Sequence, residues 1–483
     1  MSDNTSAFFG RRALLATLTE HKDAVAASGR GRLLGLRGRR QVGKSTVVER
    51  FVELSDTPYV FVTGLYNATT RQQLDQATRA LVESQNLLPD AEVMAQTPAT
   101  SWRDWLGRLA LTARSGPVVA VLDEFPWLVR ADPSLEGELQ AQWDRTLEKL
   151  PVLLILIGSD MAMMDRLVQA DRALFGRVRH LAVPALDPSE VAQALPDRDP
   201  VAAFDAYLVT GGYPRLVADL AASGRPVEDH VLANLADPYG PLVATARLSL
   251  AAEFPDPGAA YNVLAAIGAS DTARPGFNDV LSAIADPAER TRAQAALVRS
   301  LKTLTEAKGL IELEQPAWAP PTSKLRRHRI TDPYLRFWFR YVERHVEHIS
   351  RGRADLAQAF FGRDWPVWRG HVMEPVVRQA LTRLAADDPA LAGVETVQPW
   401  WTRDGRTEVD LVASTPDRSA VVGAIKWGPS GRVSDRDMDQ LRRQRELVPR
   451  AATARLAAVS PTGAAPAGAD LAYGAADLLA AWG

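Results

Sequence analysis

An α/β protein of several domains is predicted by three stretches of this 483-residue sequence. RLLGLRGRRQVGKSTVVERF joins an apolar run, a glycine-bearing turn and an amphipathic run. PVVAVLDEFPWL carries the continuous apolar run Val118 to Leu122, which suits a strand buried on both faces of a parallel sheet. TEVDLVAS and AVVGAIKW, near the C-terminus, read as two further strands. With 46% apolar and 24% charged residues the chain reads as globular, and its length suits roughly three domains at ~150 residues each.

The charge balance, 56 basic against 58 acidic residues, gives −2, so any surface for nucleic acid must be local. The absence of cysteine excludes disulfides and thiolate metal sites and suits a reducing compartment. MSDNTSAFFGRR lacks the apolar core of a signal peptide, and no apolar run approaches the ~20 residues of a membrane span. A soluble, cytoplasmic chain with no membrane partner is expected.

The first stretch fits G-x-x-x-x-G-K-[ST] at Gly38-Arg39-Arg40-Gln41-Val42-Gly43-Lys44-Ser45, with Thr46 following. A strand over Leu33 to Leu36 leads in, and a helix with Val47, Val48, Phe51 and Val52 on one face leads out. The two glycines let main-chain N–H groups close around a phosphate at the positive end of that helix. Lys44 would neutralise the β- and γ-phosphates, and the Ser45 hydroxyl would hold Mg²⁺. Asp123, at the tip of the second strand, is the expected water-mediated magnesium ligand, and Glu124 the base that polarises attacking water. A third strand, VLLILIGSD, ends in Ser159 and Asp160; a polar side chain there either senses the γ-phosphate or caps the helix from Met161. LFGRVRHLAV sets Arg177 and Arg179 before a fifth strand, where Arg177 either reaches a neighbouring subunit's site or makes a surface ion pair.

FFGRRALLATL, GRRQVGKST, VLDEFPWL, IGSD, LFGR and TGGYPRLV resemble, in order and spacing over residues 8–220, the archaeal-type ATPases. These are a branch of the P-loop NTPases close to the AAA+ and STAND groups. The resemblance implies a five-stranded parallel P-loop NTPase sheet over 1–190 with a helical lid over 191–250. It also implies adenine, hence ATP, near Phe9, Gly10, Arg11 and the Gly211-Gly212-Tyr213-Pro214 turn.

Residues 251–346 read as a winged helix-turn-helix: three helical runs, then LIELEQ, the loop PAWAPPTS, and KLRRHRI. The third helix would expose Arg292, Gln294, Arg299 and Lys302. The wing would add Lys324, Arg326, Arg327 and Arg329, a cluster suited to duplex DNA phosphates. The same arginines make ion pairs instead if the domain docks on its neighbours. HRITDPYLRFWFRYV resembles a D-P-x-x-x-F-W segment that the same family carries after the wing. Its aromatics are expected in a core rather than stacking on bases.

Residues 347–483 resemble a restriction-endonuclease-like, PD-(D/E)xK nuclease core, and also the domain of unknown function that ends many archaeal-type ATPases. The resemblance matches Glu374 to the helix carboxylate, Asp410 to the first metal ligand and Lys426 to the lysine that orients water. Ala424 departs from it where an acid is expected. Glu408, on the same sheet face as Asp410 by its two-residue spacing, is the one substitute. A nuclease fold degenerate at its metal is the favoured reading.

These observations lead to a slow ATPase whose nucleotide state switches DNA or protein binding. The alternatives are an ATP-gated DNA nuclease in defence or mobile-element biology, and a STAND-type scaffold that assembles with itself or another protein.

Overall fold

The structure, a computed structural model, describes residues 8–159, 161–167, 169–195, 197, 199–254, 258–272, 274–428 and 430–483. Asp160 therefore lies outside the described residues. The chain forms two compact units, Arg11–Ala185 and Leu186–Gly483 together with residues 8–10. Among the described residues no helix is long and apolar enough to cross a membrane.

The first unit is built on strands β1 (Arg32–Arg37), β2 (Tyr59–Thr63), β3 (Val118–Asp123), β4 (Val152–Gly158) and β5 (Val178–Ala182). They form one parallel sheet in the order β2-β3-β4-β1-β5. All residues of β3 and β4 are buried, as the unbroken apolar runs require of central parallel strands. On one face, Val60, Val62, Leu122 and Leu154 meet Trp102, Trp105, Leu106 and Leu109 of the helix Trp102–Thr112. Ser101 starts that helix by accepting a hydrogen bond from the Asp104 N–H at 3.1 Å. The fifth strand begins at Val178, so Arg179 lies inside it rather than before it. Neither residue offers a strong strand-start signal, which is where boundary expectations drift.

The second unit opens with five helices, Pro188–Ala194, Pro200–Thr210, Pro214–Ser223, Val227–Leu235 and Pro241–Glu253. Asp187 and Asp199 cap the first two from the residue before a proline, a pairing that satisfies the free N–H groups and presets the first turn. These helices belong to the same unit as the C-terminal half. The Tyr213 hydroxyl donates to Asp332 at 2.6 Å, Arg369 Nε to Asp205 at 2.5 Å, and Trp338 Nε1 to the Val243 carbonyl at 3.0 Å.

Helices Gly258–Ala269, Phe277–Ile284 and Arg290–Lys302 follow, then an antiparallel pair, β6 (Ile311–Glu314) and β7 (Arg327–Ile330). Phe337, Tyr341, Phe361, Trp365 and Trp368 are buried together, with Phe361 and Trp365 stacked at 5.4 Å between ring centroids. The D-P-x-x-x-F-W segment is thus core. The helix Ala354–Leu384 leads into a mixed sheet of β8 (Thr396–Trp401), β9 (Glu408–Ser414), β10 (Ser419–Ile425), β11 (Arg455–Val459) and β12 (Leu471–Tyr473). Its order is β12-β11-β10-β9-β8, antiparallel across β8, β9 and β10 and parallel beyond.

The β6–β7 hairpin does not stand free. In its connecting loop the Ala317 N–H donates to the Pro399 carbonyl at 2.8 Å, and Trp318 Nε1 to Ser419 Oγ at 2.8 Å, so the hairpin tip is docked on the C-terminal sheet. This corrects the expectation for Arg327. It pairs with Glu408 at 2.8 Å and lies over the Trp401 ring at 4.2 Å, turned away from any outside phosphate. Arg329 likewise pairs with Glu312 and Glu314. The loop's Pro and Trp residues bury better against apolar strands than in water, and the arginines follow them inward.

Candidate functional site

The turn from Gly38 to Gly43 joins β1 to the helix Lys44–Glu53. A Cβ on Gly38 would lie 2.3 Å from the Val183 carbonyl oxygen, so only glycine lets the two segments approach. Gln41 (φ 66°) and Gly43 (φ 83°) are left-handed, the backbone that gathers successive N–H groups into an anion-binding concavity. Val42 is buried, and its carbonyl accepts from Arg11 Nη2 at 2.6 Å. Arg11, expected near adenine, thus braces the loop from behind. Arg39 and Arg40 are half-buried, while Gln41 and Thr46 are exposed.

Lys44 is buried, and its ammonium donates to the Gly38 and Arg39 carbonyls at 2.8 Å each. Burial lowers its pKa to about 8 against the opposing pull of Glu124 and Asp123. Asp123 is 5% exposed. Burial raises its pKa, against hydrogen bonds from the Ser45 hydroxyl and the Glu124 N–H, the latter at 2.8 Å. A hydroxyl already bonded to a carboxylate at a phosphate-binding turn is a donor set that fits a hard divalent ion such as Mg²⁺.

Glu124 sits at φ 49°, ψ 43°, an uncommon conformation for a residue with a side chain. It is held there by the Asp123 carboxylate on its N–H, the Trp127 N–H on its carbonyl at 2.8 Å, and the Ser159 hydroxyl on Oε2 at 2.9 Å. Ser159 therefore has a partner neither sequence alternative named. Such a locally disfavoured backbone persists only where its surroundings over-determine it. Arg177 forks onto Asp144 at 2.6 and 2.7 Å and also donates to the Phe175 carbonyl at 2.9 Å. The surface ion pair is the alternative that the structure shows.

In the second unit Phe9 packs against the cluster of Leu186, Val191, Ala206, Val217 and Leu220, so it meets the helix that Pro214 begins. Gly10 (φ 71°) approaches Glu190 closely.

The C-terminal carboxylates gather around a cation the sequence did not single out. Arg274, in the turn between Gly258–Ala269 and Phe277–Ile284, reaches Glu374 at 2.8 Å, Glu408 at 2.5 Å and Glu314 at 3.8 Å. It is 6% exposed. Arg378 adds contacts to Glu314 at 2.9 Å, Glu374 at 3.5 Å and the Asp410 carbonyl at 2.9 Å. Burial works against the Glu374 charge, but Arg274, His371 and Arg378 outweigh it and lower its pKa to about 2. Asp410 moves the other way. Desolvation and the Glu374 charge raise it to about 7, although its Oδ2 accepts from the Ile425 N–H at 2.8 Å.

Lys426 leans to Asp437 at 3.7 Å. The register that pairs Leu411 with Gly423 sets Ala424 across from Asp410, and Ala424 packs with Val412, Val422 and Met438. The residues present do not fit a divalent ion here: a guanidinium fills the space between the carboxylates. Among the described residues no three of His, Asp or Glu are placed to hold a metal. Arg274 carried no motif; the signal for it was indirect, since carboxylates with one ligand missing still require a counter-charge.

Two outcomes follow from this cluster. Arg274→Met strands buried carboxylates, so urea unfolding followed by tryptophan fluorescence should show a loss of about 3–5 kcal/mol at neutral pH. The loss should shrink at pH 5, where the stranded carboxylates take up protons. Asp410, raised to about 7 from an ordinary 3.8, contributes stability that is complete below the unfolded value and lost as pH rises through about 7. Asp410→Asn should therefore flatten the decline in urea midpoint between pH 5 and pH 8.

Two stretches of the chain are similar to known protein families. Residues 7–155 match the family model of the AAA ATPase domain, and residues 338–439 match that of archaeal and bacterial proteins of unknown function. An uncharacterized protein of Methanocaldococcus jannaschii is 23% identical over 328 residues, 67% of this chain and 70% of that protein. Among solved structures, the Walker-type ATPase of Pyrococcus abyssi aligns with a TM-score of 0.47 at 15% identity, covering 69% of this chain and 96% of that one. The Aeropyrum pernix ORC2 protein, solved in ADPNP-ADP complexes, aligns with a TM-score of 0.44 at 15% identity, covering 75% and 98%. The two domain matches stand in this order on one chain, with the phosphate-binding turn of Gly38–Ser45 inside the stretch similar to the AAA ATPase domain.

Proposed function

We propose that ATP binding and slow hydrolysis at the Gly38–Ser45 turn act as a switch on duplex DNA binding by the second unit. The observation that carries this reading is the phosphate turn with Ser45 already bonded to Asp123 and Glu124 fixed beside it. Lys44 leaves its loop carbonyls for the β- and γ-phosphates, and the N–H groups of the turn receive phosphate oxygens. Mg²⁺, held by Ser45 and Asp123, would offset the charge of the triphosphate. Glu124, oriented by Ser159, takes the proton of the attacking water. The helices over residues 191–250, which the family resemblance assigns to the ATPase as a lid, share a unit with the C-terminal half and would carry the nucleotide state to it.

For DNA the support is the helix Arg290–Lys302. Its Arg292, Arg299 and Lys302 are exposed, as is Arg326 nearby, and this segment closes a three-helix, two-strand arrangement of winged-helix order. Arg327 is spent on Glu408 and drops out of the set. An ATP-gated nuclease has the Arg274 guanidinium among its carboxylates against it.

Glu124→Gln should lower ATP turnover about 10²–10⁴-fold while ATP still binds, and Lys44→Ala should weaken ATP binding about 10–100-fold. Equal turnover in wild type and Glu124→Gln removes the base assignment. In filter binding of duplex DNA with ATP, ADP or neither, the affinity should depend on the nucleotide. The joint change of Arg292, Arg299 and Lys302 to alanine should reduce the slope of log K against log salt by about 3. No DNA retention, with an ATP-dependent change in molecular size, is the outcome that favours a scaffold.

A further inference from the structure

A cavity of about 450 Å³ lies wholly within the second unit, walled by the β6–β7 hairpin, the start of β8 and the helices Pro333–Phe337 and Ala354–Leu384. That volume is in the usual range for small-molecule sites, about 300–1,000 Å³, yet this lining is rich in charge and amides. Three guanidinia face it, those of Arg329, Arg336 and Arg378, against two carboxylates, Glu312 and Glu314. Both carboxylates are already engaged. Glu312 binds Arg329 at 2.5 Å, and Glu314 binds Arg329 at 3.1 Å and Arg378 at 2.9 Å.

Arg336 is the cation left over. It is 2% exposed and has no carboxylate within ion-pair distance among the described residues. Its Nε has no hydrogen-bond partner, and its Nη1 makes only a long bond of 3.4 Å to the Val372 carbonyl. Burial with so little compensation pushes its pKa down to about 9. A buried guanidinium without a paired anion is strongly disfavoured, and native structures rarely tolerate one unless something binds it. The planar fork is also the side chain best shaped to grip an oxyanion with two parallel bonds. Gln398 and Gln315 stand by as neutral donors, and Gln379, which is exposed, also lines the cavity.

We propose that this cavity is a binding site for a small molecule bearing an oxyanion head, a phosphate ester or a carboxylate, with Arg336 as its counter-charge. The single surplus charge sets the head as one anionic group, and the amides and the Tyr207 ring give room for an uncharged body.

The test uses the full chain carrying Lys44→Ala, which weakens phosphate binding at the nucleotide turn, so that a further loss on changing a cavity residue reports the cavity and is independent of the ATPase reading. Inorganic phosphate, pyrophosphate and citrate are titrated calorimetrically into this protein, and into the same protein with Arg336→Gln or Gln379→Glu added. Gln379 is exposed, so its variant folds even if the buried Arg336 variant does not, and it adds a negative charge to the lining. Heat from at least one probe, with affinity falling tenfold or more in the folded variants, supports the site. Phosphate or pyrophosphate alone assigns a phosphoryl head, citrate alone a carboxylate head. No heat from any of the three, or binding that neither substitution weakens, overturns it.

Discussion

The second unit depends on a buried charge exchange centred on Arg274. One guanidinium touches glutamates from three separate places in the chain: Glu314 on the hairpin, Glu374 on the long helix and Glu408 on the C-terminal sheet. Desolvating any of these ions alone would cost several kcal/mol, so each is stable only when the other elements are docked. The network therefore works as a condition on assembly rather than as a surplus of stability. A sheet bearing Glu408 without the turn bearing Arg274 would hold an unpaired carboxylate, and the reverse would strand the arginine. Arg378 closes the arrangement by binding Glu314, Glu374 and the Asp410 backbone together.

The same exchange explains why Asp410 and Glu374 titrate in opposite directions although both lie in one cluster. Glu374 has a guanidinium at 2.8 Å and keeps its charge. Asp410 has a backbone N–H and a more distant Lys426, which is drawn to Asp437, so desolvation and the charge of Glu374 prevail. A divalent ion would have lowered both. With alanine at 424 contributing to packing beside Met438, the sheet has the form of a charged site while its interior balance is that of a clasp between elements of one unit.

Legibility in the sequence followed distance along the chain. The phosphate turn was readable because its parts, two glycines, a lysine and a serine, are contiguous and a glycine at 38 is required by the local approach of Val183. The strand ends carrying Asp123 and Ser159 were readable because buried parallel strands leave long apolar runs. The hydrogen bond from Ser159 to Glu124 was not, since it depends on how two neighbouring strands end. The sheet-face relation of Glu408 to Asp410 was also legible from period alone. What failed was the fate of arginines. Arg327 and its partner Glu408 are 81 positions apart, and Arg274 and Glu408 are 134 apart. A basic residue on a strand reads identically whether it meets solvent, phosphate or a carboxylate of the same chain.

That ambiguity bears on how charge is to be counted in this protein. A net charge of −2 says little, because arginines and glutamates of the clasp neutralise one another at short range and add almost nothing outside. At physiological ionic strength exposed charges are screened over about 8 Å, so a partner senses only the side chains immediately before it. Removing the paired hairpin arginines from the outward set leaves the helix Arg290–Lys302 as the basic face of its three-helix segment. There Arg292, Arg299 and Lys302 are exposed beside Val298, itself 52% exposed. An exposed valine flanked by cations suits contact with a surface that is anionic at its edges and apolar between, as a DNA groove with its thymine methyl groups is. The hairpin, which in a free-standing domain would supply a second contact, is instead committed to the sheet through Ala317 and Trp318. A single helix contacts fewer phosphates than a helix with a free wing, so the DNA contact proposed above rests on this one face.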